Sequence, residues 1–196
     1  MSPKRDPQRH RVYSMESDLF VGFARIKFSR KTIRSLAKLL CEWFNVPQVR
    51  IHYGKIGGGF SGEFVAPLTI TLDESQATPM LTVFTHEMAH FVLYHLVEKH
   101  NPGVVLEDHG PNFVGVHGMV LHWLQLLPLP LFEQACRAYG VWYVHPLHGR
   151  LRRPRRVKLA SVRLAYPYLD RALLKDGRSN RLPSSVRRKR ARARAS

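Results

Sequence analysis

Hydrophobic residues recur every three or four positions in several stretches of the chain, which is the spacing of one buried face of an α-helix. The clearest stretch is residues 30–45, where Ser29 is a candidate N-cap and Asn45 and Pro47 mark the end. Three further stretches have the same period and predict helices: residues 80–100, 111–123 and 131–139.

Shorter stretches alternate between polar and apolar residues, as β-strands do. Residues 49–53 alternate in this way, and Gly57-Gly58-Gly59 then turns the chain into a second run at residues 63–72. The pattern predicts a β-hairpin or meander, with residues 141–144 as a candidate last strand. Residues 12–28 contain short alternations that fit either a strand or a turn of helix, and both interpretations stay open.

The length and charge distribution indicate one folded domain with basic ends. The chain has 196 residues, of which 44% are hydrophobic, enough for a single core. We predict a flexible basic arm at residues 1–12, the domain at residues 13–149 and a tail at residues 150–196. The net charge is +17, and the tail alone holds 17 Lys/Arg against 2 Asp/Glu.

The tail is predicted to be largely disordered and to bind DNA or RNA without reading sequence, because its arginine runs attract phosphates and contain no base-reading motif. A merely solubilising or membrane-attracted tail is the alternative. The candidate nucleic-acid-binding residues are Arg150, Arg152, Arg153, Arg155, Arg156, Arg187, Arg188, Lys189, Arg190, Arg192 and Arg194.

The sequence predicts neither a membrane span nor a secretory signal. No run of 18 apolar residues occurs, and no apolar segment follows the first charged residues. Cys41 and Cys136 lie in helical patterns without a nearby partner, as expected of reduced core thiols. We therefore predict a cytoplasmic protein without a membrane partner, associated with the nucleoid, or nuclear in a eukaryote.

The predicted helix at residues 80–100 contains the motif H-E-x-x-H as His86-Glu87-Met88-Ala89-His90. Residues four apart lie one above the other on a helix, so His86 and His90 can offer two imidazoles to one metal ion. Glu87 lies beside them and could accept a proton from a water held by the metal, as in many metalloproteases. The far side of this helix is apolar and would fix it to the core: Leu81, Phe84, Met88, Phe91 and Val92.

A catalytic zinc site usually has three protein ligands and a water, so a third ligand is needed. His95 points to the opposite side of the helix and cannot supply it. His109 lies after the helix, immediately before Gly-Pro, where a second helix is predicted to start and would hold the side chain rigidly. Glu107 and Asp108 are the competing candidates.

The two motifs together resemble those of the SprT-like (Spartan and Wss1-type) zinc metallopeptidases, in which H-E-x-x-H is followed after a loop by H-G-P-x-F. The second motif is His109-Gly110-Pro111-Asn112-Phe113 here. The resemblance implies one zinc ion held by His86, His90 and His109, Glu87 as the catalytic acid/base, and Phe113 packed beneath the site. The chain departs from the family at Asn112, where an acid is common, and lacks the C-x-x-C pairs of the zinc ribbon that many members carry.

We predict an α+β, zincin-like mini-domain, in which a small, mostly antiparallel sheet packs on the H-E-x-x-H helix and further helices. The resemblance implies a sheet edge that pairs with an extended peptide substrate, and a zinc-dependent endopeptidase that cleaves proteins bound to or crosslinked with DNA. The alternatives are a nucleic-acid-binding protein with a closed structural zinc site, and a metallopeptidase dedicated to one protein partner. Four residues are weaker candidates for oxyanion stabilisation and lie outside the predicted catalytic set: Tyr94, His117, His122 and Tyr143.

Overall fold

The structure is a computed structural model that describes residues 6–21, 28–75, 80–97 and 108–144, together with the backbone of residues 151–152. Within this part the fold is α+β, as predicted. The helices are α1 (Arg9–Phe20), α2 (Arg30–Phe44), α3 (Met80–Leu96), α4 (Pro111–Trp123) and α5 (Leu129–Tyr139). The strands are β1 (Arg50–Tyr53), β2 (Gly62–Val65), β3 (Thr69–Leu72), β4 (Tyr143–Val144) and β5 (Leu151–Arg152).

Helix α3, which carries the H-E-x-x-H motif, is the central element of the domain. It packs against α4, against α2 and against strands β2 and β3. Because it has neighbours on several sides, it is hydrophobic nearly all round, as a buried helix must be. Its 17 residues end at Leu96, short of the predicted end at residue 100, and residues 98–100 lie outside the described residues.

Helix α2 confirms the prediction made from its hydrophobic period. The Ser29 hydroxyl accepts a hydrogen bond from the backbone N–H of Thr32, so it caps the first turn. Asn45 ends the helix in the left-handed conformation at φ 53°. The side chains of Ile33 and Leu40 are fully buried, which fixes one face of α2 to the core.

The three-stranded sheet has the order β1-β3-β2, so its pairing differs from the predicted hairpin or meander. The run at residues 63–72 divides into two strands, which pair antiparallel with Val65 opposite Thr69. Strand β1 pairs with β3 in parallel instead of with β2. The prediction of a mostly antiparallel sheet is therefore wrong, because one of the two strand pairs in this mixed sheet is parallel.

The predicted flexible arm at residues 1–12 is wrong for its last four residues, which form the first turn of α1. The same helix extends to Phe20 and decides the open question at residues 12–20 in favour of helix. Val12 and Met15 are fully buried, and α1 packs against α5. The amino-terminal segment (Asp6–Phe20) is thus part of the domain, whereas residues 1–5 lie outside the described residues.

Helices α4 and α5 begin and end close to their predicted limits. Pro111 occupies the first turn of α4, where a backbone N–H would have no acceptor within the helix, so proline costs no hydrogen bond there. Gly140 ends α5 in the left-handed conformation at φ 63°. Strand β4 pairs antiparallel with β5, so residues 151–152 at the start of the predicted tail form a short strand. The rest of the tail lies outside the described residues.

None of the described helices has the length and apolar character that crossing a membrane requires.

Candidate metal centre

Three imidazoles converge between helix α3 and the start of helix α4. His86 and His90 lie one turn apart on α3, and His109 lies just ahead of Pro111, the first residue of α4. One ligand atom from each ring lies within 4.8 Å of the other two, so the group could hold a metal ion. The sequence pattern therefore identified three residues that the fold brings together.

The spacing of the ring nitrogens fits a tetrahedral metal site. The Nε2 atoms of His86 and His109 are 3.1 Å apart. Two nitrogens at a zinc ion, each about 2.0–2.1 Å from the metal, lie roughly 3.3 Å apart in tetrahedral geometry. The two rings thus already face a common point at close to the required separation.

The floor of the site is Phe113, which is fully buried. Its ring centroid lies 4.9 Å from that of His86, 4.3 Å from that of His90 and 5.1 Å from that of His109. This is the packing role that the resemblance implies for Phe113. An apolar ring beneath three imidazoles keeps water out on that side and restricts their rotation.

Of the two competing candidates for the third ligand, the structure describes Asp108 but not Glu107. Asp108 is exposed and does not belong to the ligand group. Glu107 lies outside the described residues, so that alternative stays open. Among the described residues no fourth His, Cys, Asp or Glu joins the three imidazoles. The described part of the chain therefore offers three ligands to a metal ion, His86, His90 and His109.

Helix α1 places the carboxylate of Glu16 directly behind His86. The Nδ1 atom of His86 lies 2.9 Å and 3.1 Å from the two carboxylate oxygens, and Nδ1 of His117 lies 3.1 Å from one of them. Only 4% of Glu16 is exposed. Burial by itself would raise the pKa of Glu16, but the adjacent His86 and His117 outweigh it and lower that pKa.

The chain immediately before α1 holds His109 in a similar way. Asp6 Oδ2 lies 2.5 Å from Nδ1 of His109. The buried side chain of Gln8 donates to the backbone carbonyls of His109, at 2.8 Å, and of Trp142, at 3.0 Å. Both the ring and the main chain of His109 are therefore fixed by residues that the sequence analysis placed in a flexible arm.

The electrostatic environment differs among the three imidazoles. Burial lowers the pKa of His90 well below its ordinary value, and the neighbouring His86 and His109 add to this effect. Burial and His86 also lower the pKa of His109, against the opposing effect of Asp6. For His86 the burial effect is outweighed by Glu16, which raises the pKa. Glu16 thus stabilises positive charge on or next to the His86 ring.

Glu87 lies under the sheet, beside the ligand group. It is 8% exposed, and burial raises the pKa of its carboxyl, against the effects of His86 and a hydrogen bond to the Phe64 backbone. Strand β2 passes very close to it. A Cβ atom placed on Gly62 would lie 3.0 Å from Cγ of Glu87 and 2.3 Å from Cγ1 of Val83. Only a glycine lets the strand approach helix α3 this closely.

We predict that Gly62→Ala pushes strand β2 away from helix α3, because the new methyl group meets Val83 and Glu87. The free energy of unfolding should fall by about 1–3 kcal/mol, the usual cost of overpacking. Thermal denaturation followed by circular dichroism measures this change. Gly57→Ala is the matched control, because a Cβ there meets nothing within 4 Å. Equal melting temperatures for the two variants would contradict the close approach.

Two of the weaker oxyanion candidates, His117 and Tyr143, are buried, and a third, His122, is exposed on α4.

The sequence analysis missed Tyr13 on α1. Its ring centroid lies 5.5 Å from that of His86 and 4.9 Å from that of His109, and 40% of the residue is exposed. Tyr13 is thus an aromatic residue that contacts the ligand group from a solvent-facing position.

The helical period of α1 was the signal that could have placed Tyr13 and Glu16 on one helix, whereas Asp6 precedes this helix and had no such signal. Comparisons of the chain with protein-family models, with curated proteins and with solved structures gave no match, so the geometry described above carries the functional argument.

Proposed function

We propose that the protein is a zinc-dependent endopeptidase. One observation carries this proposal: His86, His90 and His109 converge on one point with the buried carboxylate of Glu87 beside them. Three imidazoles that leave a coordination position open are typical of catalytic zinc. The resemblance of the two motifs to those of SprT-like metallopeptidases supports the same conclusion.

A zinc ion held by His86, His90 and His109 would supply a water of lowered pKa and a positive charge that polarises a carbonyl group. The remaining chemistry belongs to Glu87. It accepts the proton of the attacking water and delivers it to the leaving amine, the two steps of general acid/base catalysis. A carboxyl whose pKa is raised by burial suits both steps, because it can hold the proton between them.

The substrate in this proposal is an extended peptide that adds to the sheet as a further strand. Strand β2 lies at the edge of the described sheet order and passes directly over Glu87. Phe60, two residues before β2, and Val65, the last residue of β2, are about half exposed and offer apolar contacts to substrate side chains. Pairing through main-chain hydrogen bonds places few constraints on the amino-acid sequence of the substrate.

The basic tail suggests where the substrates are found. Seventeen Lys/Arg residues in positions 150–196 attract the phosphates of DNA or RNA. Such a tail raises the local concentration of the enzyme on nucleic acid without contributing to the scissile bond. We propose proteins bound to or crosslinked with DNA as the substrate class, in agreement with the SprT-like resemblance.

The direct test is to measure zinc content together with cleavage of casein or histones by the purified chain, with and without DNA. Stoichiometric zinc and chelator-sensitive cleavage are the expected results. A chain that binds one zinc ion and cleaves no protein under either condition would defeat the proposal and favour a closed, structural site.

We predict that deleting residues 153–196 removes DNA stimulation and leaves basal cleavage intact. The deletion starts after Arg152 because Leu151 and Arg152 pair with strand β4. DNA-stimulated histone cleavage should fall about 100-fold or more, the low end of the gain from tethering. The measurement compares cleavage of histones and of a short peptide at several salt concentrations.

Tail variants of equal length separate charge from sequence. Replacing every tail arginine by lysine should preserve DNA stimulation, because phosphates attract both cations, whereas replacement by glutamine should abolish it. Stimulation that survives in the glutamine variant would contradict a charge-based role of the tail.

A further inference from the structure

The amino-terminal segment (Asp6–Phe20) places two carboxylates behind the metal-ligand group. Glu16 lies in the middle of α1, two turns beyond Arg9, and Asp6 precedes the helix. Each carboxylate lies within hydrogen-bond distance of the Nδ1 atom of a different candidate ligand, Glu16 of His86 and Asp6 of His109. The opposite ring nitrogens, the two Nε2 atoms, face one another at 3.1 Å.

We propose that Glu16 and Asp6 are positioning residues of the metal centre, which fix the rings of His86 and His109 with Nδ1 as the donor and Nε2 directed at the metal. This inference rests on the proposed metal site but not on the peptidase activity. Neither carboxylate touches the metal or the substrate in this assignment.

The burial of Glu16 supports this role. A carboxylate that is 4% exposed needs charged or hydrogen-bonded partners, since an isolated buried charge is very costly. Nδ1 of His86 is its hydrogen-bond partner, and Nδ1 of His117 lies at ion-pair distance, 3.1 Å from one carboxylate oxygen. His117 is 1% exposed, and its Nε2 atom lies 3.4 Å from the Thr85 hydroxyl, one residue before His86 on α3. The carboxylate therefore links α1, α3 and α4 at the back of the metal centre.

Asp6 contacts His109, the one candidate ligand of the three that does not lie in a helix. His109 lies outside α4, so the helix does not fix its backbone. The Asp6 carboxylate fixes the ring, and the Gln8 side-chain amide donates a hydrogen bond to the backbone carbonyl of His109 at 2.8 Å. The amino-terminal segment thus positions His109 at two points.

The chemical consequence is twofold. A hydrogen bond at Nδ1 selects the tautomer whose Nε2 lone pair is free for a metal ion. The negative charge behind the ring also makes Nε2 a stronger donor to the metal. Loss of such a carboxylate typically weakens metal affinity by about 10-fold to 100-fold.

The test uses Glu16→Gln and Asp6→Asn in the full-length chain, because both substitutions preserve shape and remove the charge. Zinc affinity is measured by competition with a chromophoric chelator, and the melting temperature of the zinc-free protein is measured separately. We expect each variant to bind zinc about 10-fold to 100-fold more weakly than the parent. Asp18→Asn is the matched control, since this exposed carboxylate on the same helix bonds to the Tyr139 hydroxyl.

Histidine side-chain nitrogen shifts in the zinc-loaded protein provide a second readout. The parent should show protonated Nδ1 and metal-bound Nε2 for His86 and His109, and a variant should lose this pattern only at the ring it contacts. If Glu16→Gln fails to fold, Asp6→Asn still decides the matter, because Asp6 lies outside α1. Zinc affinity within threefold of the parent in both folded variants, or an equal loss in Asp18→Asn, would overturn the proposal, as would a parent that binds no zinc.

These outcomes are independent of the proposed peptidase activity. A parent that binds zinc tightly, loses affinity in both variants and cleaves no protein would remove the proposed function and keep the positioning role. A parent that cleaves protein, with variants of unchanged zinc affinity, would keep the proposed function and remove the positioning role.

Discussion

Glu87→Gln should lower the cleavage of histones or casein by about 10³-fold or more while one zinc ion per chain stays bound. The amide of glutamine cannot accept the proton of the attacking water, whereas its size and shape match those of glutamate. A 10³-fold loss corresponds to about 4 kcal/mol of transition-state stabilisation. Zinc content by atomic emission and initial cleavage rates measure the two quantities separately.

Glu133→Gln is the control for this experiment. Glu133 lies on α5, where it forms an ion pair with Arg137, and does not belong to the candidate metal centre. It should leave both zinc content and cleavage unchanged. Cleavage by Glu87→Gln at the parental rate would show that another group moves the proton, and loss of zinc from this variant would show that Glu87 is needed to hold the metal.

The parts of the site that the sequence predicted are those in which spacing along the chain determines geometry. His86 and His90 are four residues apart on one helix, so their proximity follows from the helical repeat alone. His109 could be selected because Pro111 marks a helix start two residues later. In each case, local chemistry determined where the side chain could lie.

The sequence left residues 12–28 open between a strand and a turn of helix, although the pattern of helix α1 is regular. Four apolar residues are buried along one side, Val12, Met15, Leu19 and Phe20, which follow the helical period. Glu16 occupies the centre of this apolar side, where a hydrophobic residue would be expected. The charged residue interrupts the hydrophobic pattern, and its presence in the core is explained only by His86 and His117, which are distant in sequence.

The order of the strands in the sheet also could not be predicted from the local sequence pattern. The alternation in residues 49–53 and the glycines at residues 57–59 suggest a hairpin, because neighbouring strands in sequence often pair. The chain instead places β3 between β1 and β2. This arrangement brings β2 against Val83 and Glu87, a contact that only the absence of a side chain at Gly62 permits. Tertiary packing on α3 therefore outweighed the local preference for a hairpin.

His109→Ala should weaken zinc binding by about 10²-fold to 10³-fold. Structural zinc sites gain about 10–16 kcal/mol from four ligands, so one ligand contributes roughly 2.5–4 kcal/mol. The substitution also leaves Nε2 of His86 without the imidazole that faces it at 3.1 Å. Competition with a chelator measures the affinity, and circular dichroism checks that α4, which begins at Pro111, is intact.

Two further variants show whether His109 itself is the third ligand. His122→Ala removes an exposed imidazole from α4 and should bind zinc like the parent, because His122 lies outside the ligand group. Glu107→Ala addresses the competing carboxylate ligand and should also keep its zinc. If Glu107→Ala loses the metal and His109→Ala retains it, the Glu107 carboxylate is the third ligand, and the hydrogen bond that His109 donates to Asp6 then has no role at the metal.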